Sequence, residues 1–207
     1  STVSDAAKKY ESMGYRVVGG INGDFYDTAT GYPLGILISD GELLSGSSEY
    51  YAVGFYPDGS AVMGSPKLSI VASSYSGSVK LASLNKPRVE NAGVTMLTCD
   101  YRDDHTTGSS VASDGVNVLA TIIGGRASIG ESLLLQVTEV AEDAQTRTLA
   151  EDQVLLTGSA GGYTEGLAFL RALTPGELVT VSFSTPDTRW NGVTEAIGAY
   201  YSLVENG

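Results

Sequence analysis

Leu34-Gly35-Ile36-Leu37-Ile38-Ser39-Asp40-Gly41-Glu42-Leu43-Leu44-Ser45 is an apolar run, a two-residue turn signal and a second apolar run. Asp-Gly accepts the positive backbone angles of a tight hairpin turn, so residues 34–39 and 42–45 read as paired strands. The pattern recurs at once, with residues 53–56, the turn Pro57-Asp58-Gly59, and residues 60–63. Two hairpins in series predict a meander.

Toward the N-terminus, residues 4–13 read as a helix. Ser4 or Thr2 supplies the N-cap, Asp5 suits the positive end of the helix dipole, and Gly14 stands where a left-handed C-terminal cap belongs. Ala6, Tyr10 and Met13 give it an apolar face at helical spacing. Residues 16–21 are β-branched in part and read as a strand, so helix and strand together predict an α/β packing unit. Toward the C-terminus, strands are expected at 68–72, 94–98, 116–123, 132–140, 154–157 and 178–183, with a short helix over 165–173 stopped by Pro175-Gly176. These make a small, β-barrel-like unit. Residues 194–204 are apolar and end at Glu205-Asn206-Gly207, a turn signal, which predicts a longer parent chain. The expected fold is α+β: a mixed sheet with a flanking helix over 1–65 and 189–207, carrying a mostly β insertion over 66–188.

The 207 residues are 42% apolar, which suffices for a core, and no apolar run approaches the roughly 20 residues of a transmembrane helix. Lysine and arginine number 12 against 24 acidic residues, a net charge of −12 that repels nucleic-acid backbones. An anionic substrate stays open, because a local cation or a ring of backbone N–H groups reverses the field at one site. Cys99 and His105 are single, so internal disulfides, cysteine clusters and His-rich zinc sites are excluded.

Asn22-Gly23-Asp24-Phe25-Tyr26-Asp27 leaves the apolar Ile21 and enters a turn. An amide, a carboxylate and two aromatics suit the holding of a sugar: paired donor and acceptor, hydroxyl acceptor, and ring faces. The bland alternative is an Asx-turn, in which Asn22 and Asp27 bond only their own backbone. The EF-hand order is absent, and an irregular calcium or magnesium site is the lesser reading, so no cofactor is assigned and a divalent metal stays open.

Ile21-Asn22-Gly23-Asp24-Phe25-Tyr26, then Thr30-Gly31-Tyr32-Pro33-Leu34-Gly35 and Ile38-Ser39-Asp40-Gly41, resembles the phosphodiester glycosidase family, that of N-acetylglucosamine-1-phosphodiester α-N-acetylglucosaminidase. Val53-Gly54-Phe55 and Asp58-Gly59 follow the family order, as do Glu195-Ala196-Ile197-Gly198, Leu203-Val204 and Asn206-Gly207. Gly198-Ala199 stands where the family has Gly-Gly, and its later D-G-R and L-D-G-G-G-S-S segments are not in this sequence. The resemblance implies hydrolysis of a sugar-1-phosphate diester by an extracytoplasmic protein, incomplete over these residues. A non-catalytic carbohydrate-binding or cell-envelope module is the alternative. The resemblance further implies substrate binding by Asn22, Gly23, Phe25, Tyr26, Gly35 and Gly198, with Asp24 and Glu195 as the catalytic carboxylate candidates. Arg16, Lys67, Arg88 and Arg126 are equal candidates to meet the phosphate, His105 is a candidate base, and Trp190 stacks on sugar or packs a junction.

Overall fold

The computed structural model describes residues 2–26, 31, 33–47, 50–87, 93–112, 114–143, 145–159, 161 and 164–199. Asp40 and Gly41 both take positive φ, 51° and 76°, and join β1 (Leu37–Ser39) to β2 (Glu42–Ser47). That is the turn the Asp-Gly pair favours. The second hairpin joins β3 (Tyr51–Phe55) to β4 (Ala61–Gly64). Asp58 shapes its turn by accepting the Ser60 N–H at 2.9 Å, and Gly59 takes φ 84°.

The two hairpins are not neighbours, which corrects the expected meander. β12 (Glu195–Ala199) runs between them and pairs antiparallel with β1 and with β3. The strand order is β4-β3-β12-β1-β2, so a strand from the far end of the chain fills the sheet's centre.

The seven remaining strands are β5 (Ser69–Ser74), β6 (Gly77–Leu84), β7 (Val94–Thr98), β8 (Val116–Gly125), β9 (Ser132–Ala141), β10 (Gln153–Gly158) and β11 (Leu178–Ser184). They run β6-β5-β11-β9-β8-β10-β7, and β7 returns to pair parallel with β6, which closes a barrel. Closure removes the unpaired edges that an open sheet exposes. Inward positions alternate along the strands: Val79 and Leu81 on β6, Leu133, Leu135 and Val137 on β9, Val179, Val181 and Phe183 on β11. Helix α2 (Thr164–Ala172) buries Leu167, Phe169 and Leu170 in the same core and packs against β6, β8 and β10. The sheet joins the barrel through Gly46↔Leu84 and Ser47↔Ser83, the pairing of β2 with β6.

The chain is therefore mostly β, with two α-helices and twelve strands among the described residues, and the α+β expectation is overturned. Helix α1 (Val3–Ser12) forms where expected. Thr2 and Asp5 cap it reciprocally, with Asp5 N–H on Thr2 Oγ1 at 3.2 Å and Thr2 N–H on Asp5 Oδ2 at 3.1 Å. It buries no residue, so it is not a helix flanking the sheet. Residues 16–21 form no strand: Val18 is 87% and Ile21 91% exposed. β-Branched residues extend into a sheet only where they pair with a neighbouring strand, and the place between β1 and β3 is held by β12 while residues 16–21 pair with no strand among the described residues.

Candidate functional site

Residues 22–26 arrive at the end of β12. Gly23 lies on Ile197, where a Cβ would stand 2.6 Å from Ile197 Cδ1. Asp24 adopts φ 56°, a left-handed conformation that a short polar side chain tolerates by bonding locally. Its Oδ1 accepts the Phe25 N–H and its Oδ2 the Gly35 N–H, each at 2.7 Å. The Leu34 N–H donates to the Phe25 carbonyl at 2.8 Å, and Tyr26 bridges Pro33. The two motif segments are thus zipped together.

Gly35 and Gly198 make the floor. A Cβ on Gly35 would stand 2.7 Å from Gly198 Cα, and one on Gly198 would stand 2.5 Å from Asp24 Oδ2. Any side chain at either position would force the carboxylate or the strand away. Asp24, Gly35 and Gly198 meet at one point, with Gly23 beside them against Ile197. Asn22 is exposed beside them, and Phe25 and Tyr26 are 59% and 62% exposed, two accessible aromatic faces. Asn22 and Gly23 also line an open groove of about 350 Å³ walled by Val3, Ala6, Tyr10 and Ile21.

Sequence reasoning missed Lys86. Asn85-Lys86-Pro87 follows β6 and reads as a polar turn, yet Lys86 is only 9% exposed. Its Nζ donates to the Pro33 carbonyl at 2.5 Å and the Gly35 carbonyl at 2.6 Å. Burial lowers its pKa to about 8, and the Asp24 carboxylate opposes that shift. At neutral pH the ammonium is still the major form. No composition or spacing rule marks this lysine, because its burial depends on residues 33–35 arriving from elsewhere in the chain.

Glu195 is not brought to Asp24. It begins β12, three residues before Gly198 or about 10 Å along the strand, and its Oε1 accepts the Asp40 N–H at 3.0 Å. It locks the first hairpin turn. Arg126 also serves that turn by donating to the Asp40 carbonyl, and Ser128 Oγ donates to the Gly41 carbonyl at 2.6 Å. Arg16 and Lys67 are exposed, and Arg88 and Asp27 lie outside the described residues. His105 Nδ1 donates to the Cys99 carbonyl at 2.9 Å in a barrel loop, and Cys99 is buried, which pushes its thiol pKa up. Trp190 is 1% exposed and lies with Val193 against Gly54 of β3, so it packs the core on the sheet side rather than offering a face. Among the described residues, no three His, Cys, Asp or Glu side chains gather as a metal site, and no helix is long and apolar enough to cross a membrane.

No family model and no curated protein matches this chain. Solved structures do. A hypothetical protein from Synechocystis superposes with a TM-score of 0.62 at 18% identity, over 86% of this chain and 30% of its own. A candidate exported protein from Burkholderia pseudomallei K96243 superposes with a TM-score of 0.58 at 17% identity, over 97% of this chain and 43% of its own. The chain therefore spans less than half the length of either structure, and what it shares with them is the fold.

Proposed function

We propose that the chain carries the sugar-binding corner of an extracytoplasmic glycosidase that hydrolyses a sugar-1-phosphate diester. The observation that supports this is the meeting of Asp24, Gly35 and Gly198, residues whose sequence motifs resemble that family's and which the β1–β12 pairing and the Tyr26–Pro33 bridge bring to one point. A carboxylate offers about four acceptor positions, and backbone N–H groups take two of those on Asp24. The remainder accept sugar hydroxyls, Asn22 donates and accepts beside them, and Phe25 and Tyr26 cover the ring. Asp24 in this reading orients the sugar. A carboxylic acid that protonates the leaving oxygen matters most for poor leaving groups, and a phosphate monoester leaves without much help, so the carboxylate that hydrolysis still requires is the base or nucleophile. The candidate exported relative supports the extracytoplasmic location.

The alternative, a carbohydrate-binding or cell-envelope module without catalysis, is favoured by the position of Glu195 on the far end of β12. One experiment separates the two. Release of sugar from a panel of sugar-1-phosphate methyl diesters is measured beside glycan binding, for the natural full-length protein and for its Asn22→Ala and Asp24→Asn variants. Turnover that falls at least tenfold in both variants supports the glycosidase. Binding without turnover on any donor supports the module.

A further inference from the structure

We propose that Lys86 is the positioning residue of this corner, a buried ammonium that clamps the Pro33–Gly35 backbone so that the Gly35 N–H is aimed at Asp24. The inference rests on the sugar-binding reading of Asp24 but adds a residue that no motif includes. Lys86 reaches the site from the barrel, just past the end of β6, while Gly35 and Asp24 belong to the sheet side of the molecule.

Three observations carry it. Two of the three ammonium N–H groups are spent on the carbonyls of Pro33 and Gly35, which brackets Leu34 and fixes the approach to β1. The same Gly35 gives its N–H to Asp24 Oδ2, so cation, backbone and carboxylate form one chain of hydrogen bonds. Asn85 aims the lysine from a left-handed backbone (φ 49°): its side chain donates to the Leu44 carbonyl at 2.7 Å and to Thr98 Oγ1 at 2.8 Å, and accepts the Thr98 N–H at 2.8 Å. A surface turn does not need a buried lysine. A lysine kept out of water at some cost, and directed at the two carbonyls beside the carboxylate's own partner, has a positional task. Asp24 is the charged group that acts on it.

The test has two arms that do not depend on activity and one that does. Amide hydrogen exchange is compared between the wild type and Lys86→Met, with the Leu135 N–H in the barrel wall as the control. The expected result is Gly35 exchange faster by about 10- to 100-fold with Leu135 unchanged; equal exchange at Gly35 overturns the clamp. The Lys86 Cε–Nζ resonances are titrated in the wild type and in Asp24→Asn. A lower midpoint in the variant is expected, because the carboxylate that favours the charged form is gone; an unmoved midpoint overturns the coupling, even should Lys86→Met fail to fold. On any diester the wild type cleaves, Lys86→Met lowers kcat by about 10- to 100-fold with KM changed less than about threefold. A kcat within about threefold of wild type overturns the positioning role. Absence of turnover by the natural full-length wild-type protein would refute the glycosidase reading alone, and the two resonance measurements would still decide the clamp.

Discussion

Gly198 shows how little room the site has. Its backbone is not left-handed, so replacing it tests sterics alone. Gly198→Ala places a methyl 2.5 Å from Asp24 Oδ2 and 2.7 Å from Gly35 Cα. The expected outcome is a loss of roughly 1–3 kcal/mol, the range for forcing a methyl into filled space, together with faster exchange of the Gly35 N–H, read by urea unfolding and amide exchange. Wild-type stability and exchange would mean that Asp24 does not occupy this corner. At this scale the sequence was partly legible. Asn22, Gly23, Asp24 and Gly35 stand in motifs that can be read along the chain, and the structure joins all but the exposed Asn22 by close contact. Lys86 could not be read, because a lysine before a proline looks like any solvated turn. Glu195 could be misread, because a carboxylate near a motif glycine gives no sign of which end of the strand it faces.

Among the elements, turns were the most legible feature and pairing the least. Val94–Thr98 appears as the strand expected over 94–98, and the Asp40-Gly41 hairpin forms as its residues require. β6 does not stand out in the sequence, although Val79, Leu81 and Ser83 alternate inward with Lys80 and Ala82 between them. Serine, glycine and lysine diluted its apolar signal, yet this strand both closes the barrel and carries the sheet. The reverse holds for residues 16–21, whose β-branched side chains predict a strand, yet they pair with none of the described strands. Glycines at strand ends offer a paired test. Gly125 has φ 80° and a Cβ there would meet the Ser132 carbonyl oxygen at 2.0 Å, whereas Gly59 has φ 84° with open space around it. Gly59→Ala is expected to cost about 1–2 kcal/mol, the left-handed penalty alone. Gly125→Ala adds a backbone collision that breaks the β8–β9 hairpin, so its unfolding midpoint falls well below that of Gly59→Ala in the same denaturant series. Equal midpoints would show that the hairpin end yields without cost.

For the whole molecule, residues 83–86 are the joint. Ser83 and Leu84 pair with β2 on one side and β7 on the other, Ser83 Oγ lies 3.4 Å from Thr95 Oγ1, and Asn85 bridges Leu44 to Thr98. Asn85 is 2% exposed, so its partners have no water to turn to. Asn85→Ala removes three side-chain hydrogen bonds at once and leaves alanine in a left-handed backbone. The expected destabilisation is about 2–4 kcal/mol, from unmet buried polar groups at roughly 1–3 kcal/mol each with partial relaxation. Trp190, the sole tryptophan, reports the sheet side, and far-ultraviolet circular dichroism is weighted to the barrel, which holds seven of the twelve described strands. The two signals should lose coincidence in the variant, because sheet and barrel no longer share the joint. A coincident, wild-type midpoint would place the coupling elsewhere.

The sequence by itself determined the local geometry: the Thr2–Asp5 cap, the Asp40-Gly41 turn, the alternation of most barrel strands, the lone cysteine and the acidic surface. Those features depend on neighbours within a few residues, whose sterics and hydrogen bonds are fixed by residue type. Only the tertiary structure decided that β12 divides the two hairpins, that β6 and β7 close a barrel, and that α1 flanks no sheet. Strand pairing is set by competition for edges across the whole chain, which no local pattern encodes. The same reason separates Asp24 from Lys86 as findings: the carboxylate stands in a motif, while the lysine matters only because two distant backbones fold over it.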